Sequence, residues 1–82
     1  MEAQVRMILR EHSGLGGAVR AIGIHDSLWL MGMTSAASVE VMLALESTFG
    51  FEFPDSELRH ATFASIFSIM RSVRELTGSV AL

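Results

Sequence analysis

The sequence predicts an all-α fold: an antiparallel bundle of three main helices plus one short helix, with a long loop after the first. Three observations carry that expectation. Apolar residues recur at three- and four-residue spacing in three separate stretches, β-type alternation is nearly absent, and glycines and the single proline fall between the stretches rather than inside them. At 82 residues the chain has room for one domain, 1–82, with a modest core. Helices of this length bury their apolar sides by packing on one another around that core.

The first helix places Val5, Ile8 and Leu9 on one face and Arg6, Arg10 and Glu11 largely on others, and it should end near Gly14. Gly14, Gly16, Gly17 and Gly23 punctuate a stretch to about His25 without a sustained period, the composition of a long loop. Asp26 and Ser27 read as a cap for a short turn carrying Leu28, Trp29 and Leu30, with Trp29 a packing anchor under the loop. Thr34 or Ser35 then caps a helix that runs to about Phe49 and stops at Gly50. Val39, Met42, Leu43, Leu45 and Phe49 supply its buried side, but its apolar surface is wider than one stripe needs. Phe51 and Phe53 flank Glu52 in an extended piece ending at Pro54, and Asp55 or Ser56 opens a short helical turn containing Leu58. Thr62 caps the last helix, whose face is Phe63, Ile66, Phe67, Met70 and Val73; Arg71 and Arg74 sit near its end, where the helix dipole favours cations. Met7, Met42 and Met70 are read as core filling.

Composition removes several function classes. There is no cysteine, so disulfides and thiolate metal sites are excluded and any thiol chemistry must use a borrowed thiol. His12, His25 and His60 lack ligand spacing and read as surface or capping residues, so no metal is assigned. All six basic residues are arginines; three precede Ser35 with three acids, and from Ser35 onward six acids face Arg59, Arg71 and Arg74, placing the net charge of −3 in the second half. An acidic half without a basic stripe argues against nucleic acid, where phosphate neutralisation supplies most of the affinity. No apolar run approaches the roughly 18 residues of a membrane span, and the start lacks the features of a secretory signal. The expected location is the cytoplasm, with no membrane partner.

The stretch Gly32-Met33-Thr34-Ser35, followed by Val39-Glu40, Ala44-Leu45-Glu46, Phe49-Gly50 and Glu52-Phe53-Pro54-Asp55, resembles the acyl carrier protein family in order and spacing. The resemblance implies that Ser35 accepts 4′-phosphopantetheine from coenzyme A, transferred by a phosphopantetheinyl transferase that supplies Mg²⁺ and the base. A serine at a helix start suits the task, since unpaired backbone N–H groups and the positive dipole end favour a phosphodiester. Asp26-Ser27-Leu28 repeats a triplet found at the modified serine of many carriers, yet from Ser27 every later landmark falls eight residues late. Ser27 is therefore a cap and Ser35 the attachment point.

Departures from the family pattern narrow the expectation. The family's Asp before the serine is Thr34 here, the residue after it is Ala36, and several acids of the second helix are missing, which leaves Ala36, Ala37, Leu43 and Ala44 as exposed apolar surface. Together with Phe63-Ala64-Ser65-Ile66, this pattern is similar to the small bacterial aminoacyl carrier proteins. That implies loading with a small amino acid such as glycine by an ATP-dependent amino acid:carrier protein ligase related to class II aminoacyl-tRNA synthetases, and delivery to a downstream acceptor enzyme. Met33, Ala36, Ala37, Glu40, Leu43 and Ala44 are the expected recognition residues, Met33 touching arm or ligase; Glu40 and Glu46 read equally as solvated charges or partner contacts. The chain itself is expected to be no enzyme and to have no catalytic residues. A fatty-acyl or polyketide carrier stands second behind the aminoacyl one and a peptidyl carrier third. An unmodified helical interaction module is the remaining alternative of a different class, and a small hydrolase built on Ser35 and a histidine lacks the Gly-x-Ser-x-Gly elbow.

Overall fold

A computed structural model describes residues 1–78, so the last four residues of the expected 1–82 domain lie outside the described residues. Three α-helices, α1 (Glu2–His12), α2 (Ser35–Phe49) and α3 (Ile66–Thr77), alternate with short 3₁₀ segments at Gly16–Ala21, Asp55–Glu57 and His60–Phe63; no strand occurs among the described residues. The all-α expectation of three main helices and a short one therefore holds. No helix among the described residues is long and apolar enough to cross a membrane.

α1 buries Val5, Ile8 and Leu9, the face its period predicts. Arg6, from the polar side, does more than solvate: its guanidinium donates to the carbonyls of Val19 (2.9 Å) and Ile22 (2.8 Å) and pairs with Glu2 at 2.9 Å. These bonds gather the glycine-rich connection into a 3₁₀ segment, Gly16–Ala21, where composition alone indicates an irregular loop. Two backbone bonds fasten the chain beyond the connection, Phe67 N–H of α3 to the Ile24 carbonyl (2.8 Å) and Leu28 N–H to the carbonyl of Ala64, just before α3 (2.7 Å).

The buried side of α2 differs from the expected one. Val41 and Leu45 are fully buried, with Ala37, Met42, Ala44 and Phe49 packed partly against the same core, whereas Val39 and Leu43 are exposed. The helix is apolar on nearly every side between Val39 and Leu45, so periodicity does not choose a face, and the neighbours α1 and α3 choose it. Gly50, with φ of 70°, closes the helix in the left-handed conformation that glycine adopts without strain. Glu46 then accepts the Phe53 N–H at 2.8 Å and pins the extended piece, so its carboxylate has a structural role within the chain. Phe53 is buried between Phe51 and Phe63, with ring centroids 4.8 and 5.4 Å apart.

α3 begins later than expected. Ser65, not Thr62, is the cap: Ser65 Oγ accepts the Ser68 N–H (3.1 Å) and Ser68 Oγ accepts the Ser65 N–H (3.0 Å), a reciprocal pair that satisfies two orphan donors. Thr62 and Phe63 belong to the preceding 3₁₀ segment. The buried face is Ile66, Ile69, Met70 and Val73; Phe67 is exposed, its ring 4.7 Å from that of His25. Of the three methionines expected in the core, Met70 is buried, Met42 is half-buried and Met7 is exposed.

Candidate functional site

Ser35 owes its position to the turn before it. Ser27 Oγ accepts the Leu30 N–H at 3.2 Å, and backbone bonds run from Met31 to Ser27, from Gly32 to Trp29 and from Met33 to Leu28. Leu28 and Met33 are pegs in the core beneath this turn, and Gly32 at φ of 115° supplies a reversal that a side chain would strain. The chain then enters α2 through Thr34, whose hydroxyl accepts the Ala37 N–H at 3.1 Å, so Thr34 is the cap and Ser35 the first helical residue. Thr34→Ala should cost about 1 kcal/mol, measured as a shift in the urea midpoint.

With Thr34 capping and Ser38 donating its hydroxyl to the Ser35 carbonyl at 2.6 Å, the Ser35 hydroxyl itself is exposed and bonds to no described residue. It stands beside the unpaired N–H groups of the first turn, at the end of the helix that stabilises negative charge.

A groove of about 370 Å³ opens next to it. Val39 and Met42 of α2 form one wall, Leu58 and Phe63 the other, and Arg59 lies on the lining. Trp29 also lines the groove; it stacks on His60 (centroids 4.2 Å apart, 16° between planes) and donates its indole N–H to the His60 carbonyl at 3.0 Å. Trp29 thus anchors the segment between α2 and α3 rather than the first loop. A serine hydroxyl on the rim of an apolar groove with one cation fits an attached group that has an anionic end and a long, weakly polar chain. His60 shares the groove with Ser35, but it is held against Trp29 and no hydrogen bond joins it to the Ser35 hydroxyl among the described residues. No cluster of three or more potential metal ligands occurs among them either.

The other expected recognition residues separate. Ala36 is exposed beside Ser35. Met33 is only 4% exposed and packs in the core, so its position holds the turn and offers no surface to a partner. Ala37 is half-buried against the core. Glu40, Leu43 and Ala44 lie on a different side of α2, facing α1 across a second groove. Sequence reasoning missed Leu30, 90% exposed, and Met31, both on the rigid turn just before Ser35. It also missed Arg59 and the Trp29–His60 stack, for which residues 31 positions apart give no local signal. An apolar pair beside Gly32 in a turn too short to hide it was the available clue to Leu30 and Met31.

Residues 3–68 match the family described as "Phosphopantetheine attachment site". The chain is 39% identical over 74 residues to an aminoacyl carrier protein of Agrobacterium fabrum (strain C58 / ATCC 33970), covering 90% of this chain and 89% of that protein. Its structure is similar, with a TM-score of 0.87 and 39% identity, to a chain in the crystal structure of an engineered Bradyrhizobium japonicum glycine:[carrier protein] ligase complexed with carrier protein from Agrobacterium tumefaciens and AMP, covering 90% of this chain and 99% of that one. A solution structure from Agrobacterium tumefaciens matches with a TM-score of 0.72 and 39% identity, over 92% and 90% of the two chains.

Proposed function

Because the chain belongs to the phosphopantetheine attachment-site family and has the fold and sequence of a carrier protein, we propose that it carries a small amino acid such as glycine on 4′-phosphopantetheine attached to Ser35. The observation that supports Ser35 is its exposed hydroxyl at the start of α2, relieved of capping by Thr34 and placed on the rim of the groove. When bound, the group supplies the thiol that this cysteine-free chain lacks, and the amino acid is held there as a thioester. The Ser35 and Ala36 amides at the start of α2 are the groups available to the phosphodiester, together with the exposed Arg59 guanidinium, which also pairs with Glu57 at 3.4 Å; Val39, Met42 and Trp29 are those available to the pantetheine chain.

In this reading the chain positions its cargo and leaves catalysis to its partners. A phosphopantetheinyl transferase installs the arm from coenzyme A. An amino acid:carrier protein ligase related to class II aminoacyl-tRNA synthetases loads it with ATP, and a downstream acceptor enzyme unloads it. Ala36 adjoins the serine, and the exposed Leu30 and Met31 lie on the turn that precedes it, so enzymes acting there meet an apolar surface, the kind that concentrates binding energy.

Holo protein incubated with the glycine:carrier protein ligase, ATP and glycine is expected to form a hydroxylamine-labile aminoacyl adduct, read by intact mass. A fatty-acyl or polyketide cargo is the second reading, favoured by the apolar walls of the groove. Loading by a fatty-acyl ligase with none by the glycine ligase, in a matched panel of holo protein, would put that reading first.

A further inference from the structure

The side chains with nitrogen or oxygen atoms on the groove beside Ser35 are Trp29, Ser35 itself, Ser38, Arg59 and His60. Three of them are already engaged. Trp29 gives its indole N–H to the His60 carbonyl at 3.0 Å, Ser38 gives its hydroxyl proton to the Ser35 carbonyl at 2.6 Å, and Arg59 pairs with Glu57 at 3.4 Å. With Ser35 set aside as the attachment point, the His60 imidazole remains, and it makes no hydrogen bond or ion pair among the described residues. Its ring is nonetheless held in place. The Trp29 indole N–H fixes the His60 carbonyl, the ring lies on Trp29 with 16° between the planes, and His60 opens the 3₁₀ segment whose Phe63 is buried. The result is a stationary ring with free nitrogens on a groove whose other walls, Val39, Met42, Leu58 and Phe63, are apolar.

Pantetheine is a chain of methylene and methyl groups interrupted by two amides and a hydroxyl. An amide that enters an apolar groove gives up water, and without a new partner that loss costs free energy. We propose that His60 is a positioning residue for the arm: its imidazole bonds an amide of the pantetheine chain and seats the chain between Val39 and Met42 on one side and Leu58 and Phe63 on the other. A neutral imidazole has one donor and one acceptor nitrogen, so it serves either the N–H or the carbonyl of such an amide. The stack on Trp29 fixes the ring before the arm arrives, so little freedom is lost when the bond forms. The inference rests on attachment of the arm at Ser35 and not on the identity of the cargo.

The test uses the full chain, labelled with ¹³C and ¹⁵N and carrying unlabelled phosphopantetheine, with attachment verified by intact mass. Isotope-filtered NOEs are expected between the His60 ring protons and the arm, together with shifts, between unmodified and holo protein, at the Trp29 indole N–H and the methyl groups of Val39 and Met42. His60→Phe keeps a ring that can stack on Trp29 but has no nitrogen, and it should lower the ratio of docked to free arm, read from those shifts, by about fivefold. His60→Gln keeps a donor and an acceptor without the stack and should hold the arm better than His60→Phe does. Thermal unfolding of each variant checks that the fold is kept. Holo protein with no NOE to the His60 ring, equal docking in the wild type and His60→Phe, or weaker docking in His60→Gln than in His60→Phe would overturn the proposal while leaving Ser35 as the attachment point. A wild-type chain whose mass shows no attached arm would overturn it together with the carrier reading.

Discussion

Ser35→Ala is expected to abolish both attachment of the arm and every later loading step while leaving the fold intact. On the proposed role the loss should be complete, because the Ser35 hydroxyl is then the atom that forms the phosphodiester, and the other serine on the groove, Ser38, has its hydroxyl engaged with the Ser35 carbonyl. Stability should stay within about 0.5 kcal/mol of the wild type, since the side chain is exposed, bonds to no described residue and leaves the capping to Thr34. Ser27→Ala is the control with the opposite signature. It removes the hydroxyl that accepts the Leu30 N–H and so loosens the turn, but modification should persist. Intact mass after transferase treatment, with a urea titration of each variant, separates the two. Retained modification in Ser35→Ala and its loss in Ser27→Ala would return the attachment point to the earlier serine.

The largest effect on stability is expected from Leu45→Ala, at about 2–5 kcal/mol. Leu45 is fully buried, one helical turn from the equally buried Val41, where α2 meets the common core of the three helices. Truncation there removes transfer free energy and leaves a cavity that packed neighbours fill only in part. A domain this small starts from about 5 kcal/mol or little more, so the variant should be largely unfolded in mild denaturant. Leu43→Ala, two residues away and more than half exposed, should be close to neutral. Urea unfolding of the pair reads the difference directly. Equal losses would mean that α2 presents to the core the broad face its sequence suggests.

That contrast shows where the sequence was legible. The stop of α2 and the inner face of α1 were, because their signals are local: Gly50 ends α2, and Val5, Ile8 and Leu9 mark the inner face of α1. The rotation of α2 was not, because apolar residues on nearly every side leave the choice to tertiary packing. The start of α3 was misplaced for a similar reason, since Thr62, Ser65 and Ser68 all have capping chemistry and only the reciprocal Ser65–Ser68 bonds distinguish them. The proposal of Ser35 as the attachment point rests on the spacing of later landmarks. The Arg6 tether and the Trp29–His60 wall join residues far apart in the chain, and long-range contacts of single side chains leave no periodic trace. The residues expected to recognise partners do not form one patch: the structure divides them between the Ser35 rim, the core and the groove beside α1.

The central claim, that this chain carries a phosphopantetheine arm on Ser35, is tested most directly by intact mass and thiol titration of the purified protein before and after treatment with a broad-specificity phosphopantetheinyl transferase and coenzyme A. The chain contains no cysteine, so any thiol that appears belongs to the arm. The predicted result is a gain of one phosphopantetheine and one thiol per chain in the wild type and of neither in Ser35→Ala. A folded wild-type protein that gains neither with several transferases would contradict the claim and leave an unmodified interaction module as the account of this fold.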